Sequence, residues 1–384
     1  MRVATFFLVP VLGLAGAIGV RPASAEPAPA AWDPAKTWAV LIGVLEWQDP
    51  SLSSFPKEGR MDRVLERTLL ERGVPRAQLT FLEDRAATLA ACRAAIERAA
   101  VAAGPGSTLL VYFAGHGLQR EGKVFFANVD ADTSSPATTA LGVDDLGAML
   151  RANWKGERLL LAADCCHSGA LARVVAGYDG TPTVRAASFA SAAASNVSTG
   201  AWTFTESLVA CLGGDGAPDA DFDRTVTFAE AEAYVAREMR FRASQRSEAR
   251  RSTSFPADFA LARVDLERAR GRLKSAWQPG EYVEVEWKGR WWRAQVIEAD
   301  GSRPKVHYLG FETSWDEWVA RARVRPPQPI DVRVGQRVEI EWKGRFWPGV
   351  VLEVADDFAR VHYDDYGPEW DEWVTAKRLR PPPK

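Results

Sequence analysis

The chain has 384 residues, and single cores stop growing at about 250 to 300, so two or more domains are expected. Its 48 basic residues against 50 acidic ones leave a net charge of −2, which supplies no general field for nucleic acid or an anionic membrane. Four cysteines exclude a disulfide scaffold, and no set of Cys and His residues has zinc spacing.

Residues 1–25, "MRVATFFLVPVLGLAGAIGVRPASA", combine one Arg near the start, an apolar run and the small-residue site Ala23-Ser24-Ala25. This is the pattern of a secretory signal peptide cut after Ala25, so an exported, periplasmic or secreted, mature chain is expected. No later segment is long and apolar enough to span a membrane. Residues 26–36, "EPAPAAWDPAK", read as a Pro/Ala tether.

From 37 to 265, apolar runs alternate with amphipathic stretches. "WAVLIGV", "QLTFLED", "STLLVYFAGHG" and "RLLLAADCC" have the near-continuous apolar texture of parallel strands covered on both faces. "MDRVLERTLLERG" and "TLAACRAAIERAAVAAG" between them have helical spacing, which predicts an α/β fold with a mostly parallel sheet flanked by helices. Cys92 falls on the apolar stripe of the second helix and Cys211 in "SLVACL", both as core residues. In such sheets the site lies at the carboxyl ends of the strands, where His116 and the Cys165–Cys166 pair are delivered. A thiol cuts amides only as a thiolate paired with a base and facing donors for the oxyanion.

"YFAGHG" (112–117) and "DCCHSG" (164–169) together resemble the His-Cys peptidases that include caspases and metacaspases. His116 precedes Cys166 by fifty positions, the separation given for caspases, and D-x-C-H-S-G is the metacaspase form. The resemblance implies a caspase-like fold in which Cys166 is the nucleophile, His116 its base, and the backbone N–H groups of Gly117 and Cys166 the oxyanion hole. It assigns Cys166 rather than Cys165, which stands where a small residue is usual. A reversible Cys165–Cys166 disulfide would be strained. It also implies peptide or protein substrates with Arg or Lys before the cut, read by Asp164 and Asp62 through charge-assisted bonds. Asp62 reads equally as a helix N-terminal charge. Self-cleavage after Arg173 or Arg185, which bracket "AGYDGTPT", is the expectation carried over for processing. The rival reading is a silent caspase-like scaffold whose function lies in the tail.

"DADFDRTVTFAE" sets Asp219, Asp221, Asp223 and Glu230 at positions one, three, five and twelve of an EF-hand-like calcium loop. Arg224 takes the place of the usual Gly, and a solvated acidic loop is the competing reading. The chemistry itself calls for no cofactor.

After a linker at 266–279, residues 280–327 and 335–382 are a gapless tandem repeat, and nine of the fifteen tryptophans lie from Gly280 onward. Alternating apolar and polar residues broken by Lys-Gly turns predict two small all-β barrels, with aromatics forming much of each core. "VHYLGFETSWDEWV" and "VHYDDYGPEWDEWV" resemble chromo-barrel and Tudor-like modules, which implies cages for a methylated lysine. By position these are Tyr308, Phe311 and Trp315 in the first copy and Tyr363, Tyr366 and Trp370 in the second, with Trp318 and Trp373 in the cores. Asp365, in place of Gly, is expected to displace the Tyr366 wall. Acids beside the basic runs argue against nucleic acid, so the tail's ligand is left as a peptide, partner or polymer.

Overall fold

The computed structural model describes residues 31–193, 202–221, 223–264, 277, 279–300, 303–327, 330–355 and 358–382. The signal-sequence reading, residues 26–30 of the tether and most of the 266–279 linker lie outside these residues.

In chain order the first domain runs β1 (Thr37–Gly43), α1 (Met61–Glu71), β2 (Leu79–Glu83), α2 (Leu89–Ala102), β3 (Thr108–Ala114), β4 (Gly117–Arg120) and β5 (Lys123–Phe126). A single turn α3 (Pro136–Thr139) and β6 (Leu141–Gly142) lead to α4 (Val143–Asn153), β7 (Arg158–Asp164), α5 (Leu171–Ala176) and β8 (Arg185–Ala190). It closes with α6 (Thr203–Gly213), β9 (Thr225–Thr227), α7 (Phe228–Arg242), β10 (Glu248–Arg251) and β11 (Ala260–Arg263). The main sheet has the order β10-β8-β7-β3-β1-β2, parallel except for the β10 edge.

Apolar residues on both strand faces require cover on both sides. One face packs Cys92, Ile96, Leu146 and Val174 from α2, α4 and α5. The other packs Leu65, Phe204, Leu208 and Phe228 from α1, α6 and α7. Each such side chain contributes about 1.5–3 kcal/mol on leaving water. The fold begins earlier than the tether reading allowed. Trp32 is buried in the second of these cores, its N–H donates to the Ala260 carbonyl at 2.8 Å, and its indole donates to Thr37 Oγ1 at 2.7 Å.

Each tail repeat is an open five-stranded antiparallel sheet. The first contains β12 (Tyr282–Trp287), β13 (Arg290–Ala299), β14 (Pro304–Tyr308), β15 (Glu317–Trp318) and β16 (Val324–Arg325). The second contains β17 (Arg337–Trp342), β18 (Arg345–Ala355), β19 (Phe358–Tyr363), β20 (Glu372–Thr375) and β21 (Leu379–Arg380). The aromatic-core expectation fails here. The centres are aliphatic, Val283, Val285, Val296 and Val306 in one and Val338, Ile340, Val351 and Val361 in the other, while most indoles sit on the rim. Trp318, expected in the core, is 40% exposed; Trp373 is buried at 6%.

Both repeats rest on the first domain. Tyr282 stacks on Phe241 of α7 at 4.6 Å and donates its hydroxyl to Glu238 at 2.7 Å. Trp373 packs with Phe358 against Ala193, and the Arg246 guanidinium lies 3.9 Å over its ring.

Candidate active site

The strand register explains the spacing of the two motifs. β3 pairs with β7 from Thr108 opposite Arg158 to Ala114 opposite Asp164. Both strands end at that pair, and His116 and Cys166 each lie two residues beyond it, so the two loops leave neighbouring strands at the same edge of the sheet. The two loops touch. A Cβ added to Gly117 would meet the Cys166 carbonyl oxygen at 1.8 Å and Cys165 Sγ at 3.3 Å, so only glycine lets the backbone after His116 lie against the Cys165–Cys166 loop.

The His116 ring is held between Trp47 (4.4 Å between centroids) and Phe55 (4.5 Å), and Nε2 lies 2.8 Å from the Ser53 carbonyl. A carbonyl only accepts, so Nε2 carries the proton and Nδ1 is left as the basic nitrogen. Burial pushes the ring's pKa below its usual 6.5, against the Ser53 bond that raises it, which favours the neutral imidazole. Trp47 is fixed in turn by its indole, which donates to the Ala127 carbonyl at 2.9 Å. None of Trp47, Ser53 or Phe55 carries a motif; they come from the loop after β1.

The adjacent cysteines separate cleanly. Cys165 is 1% exposed among Phe126, Ala163 and Ala170, and burial pushes its thiol well above the ordinary range. Cys166 is partly exposed, and none of the four cysteines is in a disulfide. The loop that follows is pinned from behind. His167 takes a left-handed φ of 58°, Ser168 Oγ accepts from the Ala192 N–H at 3.0 Å, and the Gly169 N–H donates to the Ala192 carbonyl at 2.9 Å.

Asp164 is buried on the sheet face opposite Cys165. Thr205 Oγ1 donates to its Oδ2 at 2.6 Å and itself lies 2.6 Å from the Tyr112 hydroxyl. Burial lifts its pKa from 3.8 to about 6. Asp62 is the second acid of this region, but Arg60 grips both its oxygens, at 2.6 and 3.0 Å, and both side chains are buried. Its carboxylate is therefore neutralised from within the chain, whereas among the described residues no Arg or Lys forms an ion pair with Asp164.

Arg173 and Arg185 are not on a loose loop. Arg173 lies within α5, Arg185 opens β8 and pairs with Glu157 at 2.8 Å, and the intervening turn is tied down by Asp179, which accepts from the Thr253 N–H. Cutting after either requires that element to open.

The acidic loop keeps three of the four residues in the expected grouping. Asp219, Asp221 and Asp223 bring carboxylate oxygens within 4.8 Å of one another, and Arg224 does adopt the left-handed φ of 72°. Glu230 departs from the ligand role: it closes a capping box with Thr227 and accepts from the Ala220 N–H. Of the four residues expected as ligands, three carboxylates group together and the fourth serves the helix cap.

In the first repeat, Trp287, Trp292, Phe311 and Trp315 meet nearly edge-on at 5.5 to 6.5 Å over a cavity of about 290 Å³, with Tyr308 at its base. Trp342, Trp347, Tyr363, Tyr366 and Trp370 repeat the arrangement. The expected trio is present in each copy, and the two tryptophans from the β12–β13 and β17–β18 hairpins complete it. Asp365 does not displace its wall. It takes φ 65° where Gly310 takes 84°, and Tyr366 stands 6.2 Å from Tyr363 as Phe311 does from Tyr308. The acids of "WDEW" are structural, since His307 and His362 bond Asp316 and Asp371 at 2.7 Å, and Tyr308 and Tyr363 donate to Glu317 and Glu372.

The family model described as Caspase domain matches residues 39–262, more than half of the chain. The chain belongs to the caspase-domain family. The Agenet domain model matches 280–329 and again 335–384, so the Tudor-like repeats are Agenet repeats. The protein AGENET DOMAIN (AGD)-CONTAINING P1 of Arabidopsis thaliana is 33% identical over 109 residues, 24% of this chain and 21% of that protein. The chain therefore spans about a fifth of that relative's length. Among solved structures, protein GSU0716 from Geobacter sulfurreducens aligns with a TM-score of 0.44 and 17% identity, covering 60% of this chain and all of that one. The AGD34 segment of Arabidopsis thaliana AGDP1 aligns with a TM-score of 0.16 and 25% identity, over 31% and 91% of the two chains.

Proposed function

We propose that this caspase-domain protein is an exported cysteine endopeptidase that cuts after Arg or Lys, with an Agenet tail that binds cationic side chains. The observation that carries the reading is the His116 ring, fixed by its Nε2 on the Ser53 carbonyl so that Nδ1 is the basic nitrogen, on a loop that touches the loop of the partly exposed Cys166. Nδ1 takes the Cys166 proton, and the thiolate attacks the peptide carbonyl carbon. The N–H groups of Gly117 and Cys166 hold the oxyanion, and His116 returns the proton to the leaving amine. Water then releases the acyl group by the same route.

Asp164 supplies the charge that selects the residue before the cut, and Asp62 adds to it only if Arg60 moves aside. The cages of the tail suit ammonium groups, methylated lysine among them, because the ring faces attract cations. Export rests on the first 25 residues alone. The reading is checked with peptide amides ending in Arg, Lys or Asp. Hydrolysis of the Arg amide, then Lys, at a kcat/KM at least about 100-fold above Asp is expected from the gap between a paired and an opposed charge. Preference for Asp, or no hydrolysis, would leave a binding scaffold as the better account.

A further inference from the structure

The two Agenet cages are built alike but placed differently. The first is lined by its own repeat alone. The second opens into a cavity of about 790 Å³ whose far wall belongs to the caspase domain: Gln119, Arg120, Glu121 and Gly122 of the β4–β5 hairpin, and His167. These are the two candidate catalytic loops. β4 starts at Gly117, directly after His116, and His167 directly follows Cys166. The cavity thus borders the chain on the far side of both loops, two residues beyond Gly117 and one beyond Cys166.

Its chemistry selects a cation. Five rings from the second repeat meet Glu121 and Glu369 around the space, while Glu372 at its edge is held by Arg378 and Tyr363. Arg120, the basic residue on the hairpin side, is turned to the Ser134 carbonyl at 2.6 Å. Placement gives the direction. Asp164 shares the sheet face of Tyr112 and Thr205, whereas the hairpin packs Val124 and Phe126 on the opposite face with Cys165. A chain whose residue before the cut enters the Asp164 side carries its leaving portion toward the cavity. Gln119, Arg120 and Glu121 lie two to four residues beyond Gly117 along β4 and its turn, and an extended chain running beside that strand advances at the same rate of about 3.3 Å per residue, so it reaches the cavity about two to four residues from the cut.

We propose that the cage of the second repeat is a substrate subsite of the peptidase, taking a lysine-type ammonium or a guanidinium about two to four residues beyond the scissile bond on the leaving side. This rests on the peptidase reading, and makes the tail part of substrate selection. The test uses the full chain and internally quenched peptides with Arg before the cut and Lys, Arg or Ala at each of the four following positions. A cation at the second, third or fourth position is expected to raise kcat/KM about tenfold over Ala, the size of one desolvated cation–π contact. Trp370→Ala and Tyr366→Ala, which truncate side chains 48% and 40% exposed, bring that ratio to about one. Trp318→Ala, an exposed indole outside both cages, leaves it unchanged. In the Cys166→Ala chain the same peptides are compared by equilibrium binding, and the Lys peptide binds about tenfold tighter than the Ala peptide. Absence of a preference in both assays, a preference confined to the acyl side, or one that survives Trp370→Ala and Tyr366→Ala overturns the subsite. Failure of the full chain to cut the Ala peptide, with the binding preference intact, overturns the peptidase reading instead.

Discussion

Cys166→Ala abolishes hydrolysis of Arg-ending amides, with a loss of at least about 10³-fold, while Cys165→Ala leaves it within a few-fold. Nucleophile removal in hydrolases leaves only what binding and the oxyanion donors supply. Cys166 is partly exposed, so its replacement leaves the packing intact. Cys165 is a buried filler beneath Gly117 whose thiol is held protonated by its surroundings, and alanine keeps most of its shape. Steady-state hydrolysis by the two variants decides between them. Equal loss in both, or loss in Cys165→Ala alone, would move the nucleophile.

Asp164→Asn is expected to remove the preference for Arg and at the same time stabilise the fold. The carboxyl is buried and its pKa is lifted from 3.8 to about 6 by that burial. Below 3.8 the folded and unfolded chains both hold the proton and the group contributes nothing. Between 3.8 and 6 the unfolded chain ionises first, so stability falls as pH rises. Above 6 the full cost is present, about 3 kcal/mol at 1.36 kcal/mol per pH unit of displacement. Asparagine keeps the contact with Thr205 without the charge, so the urea midpoint of the variant rises at pH 7 and converges on the parent near pH 4. The ion that destabilises the fold is also the partner a guanidinium requires. Its loss lowers kcat/KM for Arg amides by about 100-fold, the scale for leaving a buried cation unpaired. A variant that keeps Arg preference, or loses stability at pH 7, would contradict both roles.

What was readable in the chain follows from which interactions are local. The parallel strands, the carboxyl-edge placement of His116 and Cys166 and the tandem repeat all rest on periodicity or short motifs, and each stands in the structure. The partners of the site were not readable. Ser53 acts through its carbonyl, which no side chain announces, and Thr205 reaches Asp164 from α6, far along the chain. Asp62 carried a pocket reading from its position, but Arg60 two residues before it folds back and takes both oxygens. Counting aromatics placed them inside the repeats; valines at alternate positions fill those centres, and the rings stay at the rim as cage walls. Asp365 shows the limit of reading one residue against a pattern. Asp tolerates the left-handed turn well enough that Tyr366 keeps its place. The docking of the second repeat beside the active-site loops depends on Trp373, Arg246 and Ala193 meeting across domains, which no local pattern encodes.

The central claim, that His116 activates Cys166 toward peptides with a basic residue before the cut, is tested most directly by active-site alkylation. The full chain is incubated with a peptidyl-arginine chloromethyl ketone, digested and mapped by mass spectrometry. The account predicts one adduct, on Cys166, formed far faster than with the aspartyl analogue and lost in His116→Ala. An adduct on Cys165, or faster labelling by the aspartyl reagent, would contradict it.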